Sequence, residues 1–302
     1  MAYVDSRAFL DAAVLARLSR LALSARGPMN GSVTGIHKSA TRGSSVEFAE
    51  YRKYVPGDDI KHVDWQVYAR TDRFYMKEFE ADTNLRCTIV LDCSASMSFD
   101  AGHGSKFDYA RRLAATLAYL LVHQGDSVGL LCFGDGTHHD IPPRHTPSHL
   151  KHIFDTLSDV TPGGKTEMVQ TIHDLAERIQ QRALVIVLSD CFTEIPPLLD
   201  CFQHMRFRKH DLAVFHLLDR QELNFDFDRP IRFVDIEGSF NMITDPSIIQ
   251  SGYRKELDRY LEGLKLGCRE FGVDYRRVVT DTDYEKVLAA FLLQRMGGGL
   301  SR

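Results

Sequence analysis

Apolar positions along this chain follow two patterns. Short unbroken runs occur in Leu85–Asp92 (with Ile89-Val90-Leu91 at its centre), Ser127–Phe133 (SVGLLCF), Ala183–Leu188 (ALVIVL) and Leu212–Leu218. Their length and aliphatic, β-branched character are those of strands buried on both faces. Between them, apolar residues recur at helical spacing. Leu113, Leu117, Leu120 and Leu121 mark a helix expected over 106–123, and further helices are expected near 147–158, 167–181 and 195–205. A strand at 231–236, a long helix at 247–271, a strand at 273–279 and a helix from 284 to about 296 follow. Alternation of strand and helix on this scale predicts an α/β fold with a doubly wound, mostly parallel sheet. Thr137–Pro142 reads as a short edge strand, because Pro142-Pro143 cannot donate to a ladder.

The amino-terminal third has a different texture. Leu10, Val14, Leu15, Leu18, Leu21 and Leu23 alternate with Arg17, Arg20 and Arg26, as in an amphipathic helix docked on a domain. Gly27-Pro28 and Asn30-Gly31 end it. From 35 to 82 aromatic and charged residues interleave (Phe48, Tyr51, Tyr54, then Trp65, Tyr68, Phe74, Tyr75, Phe79), and Pro56-Gly57-Asp58-Asp59 marks a turn. This segment is expected to be a small β-rich subdomain of two or three strands. The organisation predicted is thus a helix over 1–30, a β-rich subdomain over 31–82, an α/β domain over 83–296 and a tail over 297–302.

At 302 residues, with 44% apolar and 26% charged residues, the chain has the composition of a soluble globular protein with room for a large core. A net charge of −4 with mixed signs gives no reason to expect a nucleic-acid binder. Asp5, Arg7, Asp11 and Arg17 interrupt any signal-peptide core, and no apolar run approaches the roughly 20 residues needed to span a bilayer. Six scattered cysteines without a CxxC pair fit a reducing, cytoplasmic setting.

The candidate chemistry sits where the first buried strand ends, in Asp92-Cys-Ser-Ala-Ser96. Open α/β sheets place ligands at the carboxyl ends of strands. Asp92, Ser94 and Ser96 alternate, so an extended turn would aim all three oxygens to one side. One carboxylate and two hydroxyls suit a hard cation such as Mg²⁺. The glycine-rich loop Thr161-Pro-Gly-Gly-Lys-Thr166 supplies Thr166, and the strand 183–188 ends in Ser189-Asp190. Asp92, Ser94, Ser96, Thr166 and Asp190 together form an oxygen-only shell for one divalent ion. Two carboxylates against a dication leave it near neutral and able to accept a further anionic ligand.

These five residues resemble the metal-ion-dependent adhesion site of von Willebrand factor type A domains. The resemblance implies that the hydroxyls of Ser94, Ser96 and Thr166 coordinate Mg²⁺ or Mn²⁺, with Asp92 and Asp190 in support through water. It also implies that a carboxylate from a partner protein completes the octahedron. Cys93 takes the place of the usual small residue, and Cys191 stands where that family often has glycine. A second resemblance lies upstream. His37-Lys-Ser39, Gly43, Glu47-Phe48, Arg52, Tyr54, Pro56-Gly57-Asp58-Asp59, Asp64-Trp65 and Ala69-Arg70 look like the signature of the bacterial domain-of-unknown-function family 58. The combined match covers most of 35–195. Many such proteins are encoded beside a MoxR-type AAA+ ATPase, which implies that ATPase or its client as the partner. The signature block is then a docking surface or lid, or else a unit whose charges pair among themselves.

Other motifs weigh less. Gly164-Lys165-Thr166 resembles the end of a P-loop, but Asp159 stands where that pattern needs glycine and no apolar strand precedes it. DxSxS lacks the second carboxylate that DxDx(T/V) phosphatases use as acid and base, because Ser94 occupies its place. The histidines at 138, 139, 145, 149 and 152 read as a polar loop and a solvated helix face, and Arg206–Lys209 as a surface loop. The expected function is therefore metal-dependent protein recognition without catalysis. A metal-dependent hydrolase and a structural adaptor whose metal only stabilises the fold are the alternatives.

Overall fold

The computed structural model describes residues 8–21, 23, 37–38, 47–53, 65–71, 74–80, 82–83, 85–225, 227, 231–234, 241–244 and 246–297. The chain divides into two compact units, Gly27–Leu85 on the one hand and Met1–Arg26 with Arg86–Arg302 on the other. The larger unit begins with helix α1 (Ala12–Leu18), capped by the Asp11 carboxylate, which accepts from the backbone N–H of Ala13 (2.8 Å) and Val14 (3.2 Å). Val14, Leu15 and Leu18 are buried, and Arg17 pairs with Glu285 at 2.6 Å. The amphipathic helix is therefore docked as expected, but it spans only Ala12–Leu18, ending before Leu21 and Leu23.

In the smaller unit β1 (His37–Lys38) and β2 (Glu47–Lys53) are followed by helix α2 (Trp65–Thr71), then β3 (Tyr75–Glu80) and β4 (Asp82–Thr83). β1 pairs with β4 and β2 with β3, both antiparallel. The β-rich reading holds for the pairs but not for α2. Trp65 and Tyr68, three apart, meet edge-on at 6.1 Å on one helical face, and Tyr68 stacks on Phe74 at 4.4 Å. Interleaved aromatics and charges over so short a run fit either period. Asp58, Asp59 and Asp64, whose pairing the sequence left open, lie outside the described residues.

The larger unit continues through β5 (Arg86–Asp92), α3 (Lys106–His123), β6 (Ser127–Gly134), β7 (Gly136–Arg144), α4 (Pro147–Asp159), α5 (Met168–Arg178), β8 (Leu184–Ser189), α6 (Ile195–Phe207) and β9 (Asp211–Leu218). It ends with α7 (Arg220–Asn224), β10 (Ile231–Val234), β11 (Asn241–Thr244), α8 (Pro246–Glu270), β12 (Asp274–Val279) and α9 (Tyr284–Gly297). Six strands form one sheet in the order β12-β9-β8-β5-β6-β7, parallel except for β7. This is the expected α/β, doubly wound, mostly parallel sheet. β7 runs longer than Thr137–Pro142 and lies at the edge, where Pro142-Pro143 leaves no central ladder broken. β10 and β11 form their own antiparallel hairpin.

Alternation along the strands sends neighbouring residues to opposite faces. Helices α3, α4 and α9 lie on one face, where Phe215 meets Phe291 edge-on at 5.0 Å. Helices α5, α6 and α8 cover the other, around Val90, Val185, Val187, Phe202 and Val214. Burying each such side chain contributes about 1.5–3 kcal/mol. The chain winds from β5 to β6 on one side and from β8 to β9 on the other, so the winding reverses between β5 and β8. A crevice at such a reversal, at the carboxyl ends of the strands, is where open α/β sheets bind ligands. All six cysteines are free and buried. Among the described residues no helix is long and apolar enough to cross a membrane.

His216, on β9, is buried beneath this edge, and its Nδ1 lies 2.8 Å from the Tyr275 hydroxyl. Burial, with Lys106 and Arg277 adding to it and Asp190 opposing, pushes the imidazole down to about 4. Its folded value is below the unfolded one, so between pH 6.5 and 4 the unfolded chain binds the extra proton and stability falls with pH. Relative to His216→Gln, the wild type is expected to lose about 2 kcal/mol between pH 7 and pH 5. Urea denaturation of both proteins in chelator checks this. Parallel pH profiles would show that the ring is already protonated or solvated.

Candidate metal centre

β5 delivers Asp92 to the carboxyl edge of the sheet with 1% of its surface exposed. Its Oδ1 accepts from the Ser94 N–H at 2.9 Å, and its Oδ2 accepts from the Ser189 hydroxyl at 2.5 Å. Ser94 keeps an extended backbone (φ −64°, ψ 163°), but the chain then tightens into a 3₁₀ turn over Ala95–Ser98. The extended turn predicted for Asp92, Ser94 and Ser96 is thus corrected. The convergence survives because the tight turn brings Ser96 Oγ to 3.0 Å from Ser94 Oγ.

The glycine-rich loop seats on this turn through backbone bonds. Ala95 N–H donates to the Gly164 carbonyl (3.0 Å), Gly163 N–H to the Cys93 carbonyl (2.8 Å) and Glu167 N–H to the Gly134 carbonyl (3.1 Å). Gly164 has φ +74°, and a Cβ there would lie 2.8 Å from Asp135 Cβ, so both backbone and space call for glycine. Thr166 follows Gly164 by two residues in this loop, just ahead of α5. The loop follows α4, not a strand, so the P-loop context is missing as expected. Asp190 follows β8 directly, and Ser189 before it ties that strand end to Asp92. Cys191 adopts φ 53°, a left-handed conformation that explains why glycine suits this position. Tyr260 of α8 donates to the carbonyls of Cys191 and, at 2.9 Å, Thr193, pinning the Asp190 loop.

Two residues that the sequence did not single out complete the surroundings. Lys106, the first residue of α3, is fully buried, with Nζ 2.8 Å from Asp190 Oδ2 and 2.7 Å from Glu222 Oε1. Glu222 belongs to the short helix α7, where its other oxygen accepts from the Asp219 N–H at 2.7 Å in a capping box. Burial disfavours the Lys106 ammonium, but Asp190 and Glu222 outweigh it and hold its pKa above the ordinary value. Burial also raises the Glu222 carboxyl, with Lys106 pulling the other way. The geometry of two short bonds supports a charged lysine. The sequence signals were a lysine in the first turn of a helix, where cations are disfavoured, and Asp219-x-x-Glu222 after a buried strand.

Burial, then the charge of Asp190, pushes Asp92 up to about 7, against the hydrogen bonds from Ser189 and Ser94. A buried carboxylate strained in this way is what a cation would relieve. Both Asp92 oxygens accept protein hydrogen bonds, and both Asp190 oxygens are engaged, Oδ1 with the Phe192 N–H (3.4 Å) and Oδ2 with Lys106. The hydroxyls of Ser94 and Ser96, 3.0 Å apart, are the oxygens that would face a cation. This oxygen-only set fits Mg²⁺ or Mn²⁺. Asp92, Asp190 and Glu222 against Lys106 give the same formal −2 that the two aspartates alone gave.

The histidines offer no rival centre. His149, expected on a solvated helix face, is instead buried with Nε2 2.7 Å from the Val128 carbonyl, whereas His145 and His152 are exposed as expected. Among the described residues no group of three or more His, Cys, Asp or Glu side chains is placed to hold a metal. Arg206, expected in a surface loop, is instead in the last turn of α6, where it donates to the carbonyls of Phe271 (3.2 Å) and His210 (2.8 Å).

The uncharacterised protein Rv1480 of Mycobacterium tuberculosis is 24% identical over 298 residues, covering 96% of this chain and 92% of that one. Among solved structures, BatB from Bacteroides thetaiotaomicron is similar over 71% of this chain and 100% of that one, at 15% identity and a TM-score of 0.45. The SpRpn10 VWA domain is similar over 68% and 94%, at 10% identity and a TM-score of 0.42. The family model described as protein of unknown function DUF58 matches residues 50–259, reaching beyond the signature block and across the metal-site loops into α8. The chain belongs to the DUF58 family.

Proposed function

We propose that this protein is a divalent-metal-dependent protein-binding module, with Asp92, Ser94, Ser96, Thr166 and Asp190 holding Mg²⁺ or Mn²⁺. The observation that carries the reading is the pair of hydroxyls 3.0 Å apart, backed by an aspartate whose two oxygens are both tied to the protein. When bound, the ion supplies an electrophilic position for one more oxygen ligand. The chain's own residues fix where that position faces. The Gly163–Gly164 loop and the 3₁₀ turn form its rim, and Ser189 and Ser94 keep Asp92 behind it.

The ligand that suits this position is an Asp or Glu carboxylate of a partner. The resemblance noted for the signature block makes a MoxR-type AAA+ ATPase, or its client, the partner proposed, in a cytoplasmic, chaperone-like assembly. Segment 31–82 is proposed as a β-rich subdomain distinct from the α/β domain of 83–296. The hydrolase reading is weaker, because Ser94 stands where acid–base chemistry needs a second carboxylate.

Affinity capture from lysate of the source cell, with Mg²⁺ or with chelator, tests the reading. Capture of the ATPase or a discrete client by wild type in Mg²⁺, but not in chelator or by Asp92→Asn, is the expected result. The same proteins retained under all conditions would make the site structural.

A further inference from the structure

Lys106 breaks two local rules at once. It is a cation in the first turn of α3, where the helix dipole favours anions, and it is fully buried. Its ammonium lies 5.0 Å from the centre of the Phe192 ring and 5.9 Å from that of Phe99, so it is walled from solvent on those sides. A buried charge persists only where partners compensate it, and departures from local rules concentrate at functional sites. The partners are Asp190 at 2.8 Å and Glu222 at 2.7 Å, one in the metal-site loop and one on α7.

We infer that Lys106, backed by Glu222, is a positioning residue that holds Asp190 back from the cation and so keeps a coordination position for the partner's carboxylate. The inference rests on the metal-dependent reading above. Asp190 has two oxygens, and both are engaged: Oδ1 accepts from Phe192 N–H and Oδ2 from the Lys106 ammonium. Each oxygen keeps a further lone pair, but the ammonium on Oδ2 opposes a cation's approach there and the two bonds fix how the carboxylate is turned. Each anionic ligand kept off a dication leaves more attraction for the next anion. Glu222 is itself fixed by Asp219 N–H at 2.7 Å, and it neutralises the ammonium, so Lys106 orients Asp190 without adding net positive charge.

Calorimetric titration with Mn²⁺ alone, together with water-proton relaxation to count waters on the bound ion, tests this. The proteins are wild type, Lys106→Met and the double variant Lys106→Met/Glu222→Gln, whose formal charge equals that of wild type. With Asp190 released to the ion, both variants are expected to bind Mn²⁺ on the order of tenfold more tightly and with fewer bound waters. A merely structural lysine predicts weaker binding. The double variant removes the ammonium together with the carboxylate it neutralised, so it carries the test where Lys106→Met alone fails to fold. Tighter binding in the single variant with wild-type affinity in the double would reduce the effect to net charge and overturn the positioning role. Wild-type affinity and water count in both variants, or weaker binding, would overturn it as well. Wild-type protein that does not bind Mn²⁺ at all would instead overturn the metal-dependent reading, and this inference with it.

Discussion

Arg295→Ala is expected to lower stability by about 3–5 kcal/mol and the melting temperature by about 10 °C. Arg295 of α9 is fully buried at the side chain, with Nη1 2.7 Å from Asp211 Oδ2 and Nε 3.3 Å from Asp274 Oδ2. Asp211 opens β9 and Asp274 opens β12, so one guanidinium clamps the amino-terminal ends of two neighbouring parallel strands. The cost comes less from the lost bonds than from two carboxylates left buried near each other, with Arg276, 3.4 Å from Asp274 Oδ1, as the remaining cation beside them. Adding Asp274→Asn to the variant should recover part of the loss, and Mn²⁺ affinity should not change, because the clamp lies at the sheet edge opposite the metal loops. Thermal denaturation in chelator reads this. A shift below about 2 °C would show that water already compensates the carboxylates.

The second large effect is expected at Asp92→Asn, with opposite signs in two measurements. Mn²⁺ affinity should fall by about 10–100-fold, the usual cost of losing a residue that orients metal ligands from behind. Stability in chelator at pH 8 should stay level or rise. The Asp92 carboxyl sits at about 7, above its ordinary value, because it is buried beside Asp190. The folded metal-free protein therefore holds this proton more tightly than the unfolded chain, and stability falls as pH rises through the window from about 4 to 7. Asparagine carries no such penalty, and it can still accept from Ser94 N–H. Any advantage of the variant should vanish at pH 4–5, where wild-type Asp92 is protonated. A variant clearly less stable at pH 8 would mean that its neighbours stabilise the ionised carboxylate after all.

Much of the α/β unit was legible because its signals are physical and local. Ile89-Val90-Leu91 and Ala183–Leu188 are too apolar to face water, and they became adjacent central strands with Val90 opposite Val187. Asp92 and Ser189-Asp190 interrupt those runs at their carboxyl ends, which is why the candidate site could be drawn from sequence. The turn between Asp92 and Ser96 was misjudged, because alternation suggests an extended chain while local bonds close a 3₁₀ turn. Helix α2 lies inside a segment whose sequence predicts only a β-rich subdomain, because seven residues with interleaved aromatics fit both periods. Lys106 and Glu222 escaped because their meaning depends on a contact across 116 positions of sequence. A lysine at a helix start looks solvated until the fold buries it.

Calorimetric titration of the wild-type protein with Mn²⁺ at neutral pH, after removal of bound metal by chelator, tests the central claim most directly. The account predicts one saturable site per chain, a rise in melting temperature with Mn²⁺ concentration, and in Asp92→Asn binding weaker by about 10–100-fold with a correspondingly smaller rise at equal Mn²⁺. No saturable binding at millimolar Mn²⁺, or equal binding by wild type and Asp92→Asn, would contradict it.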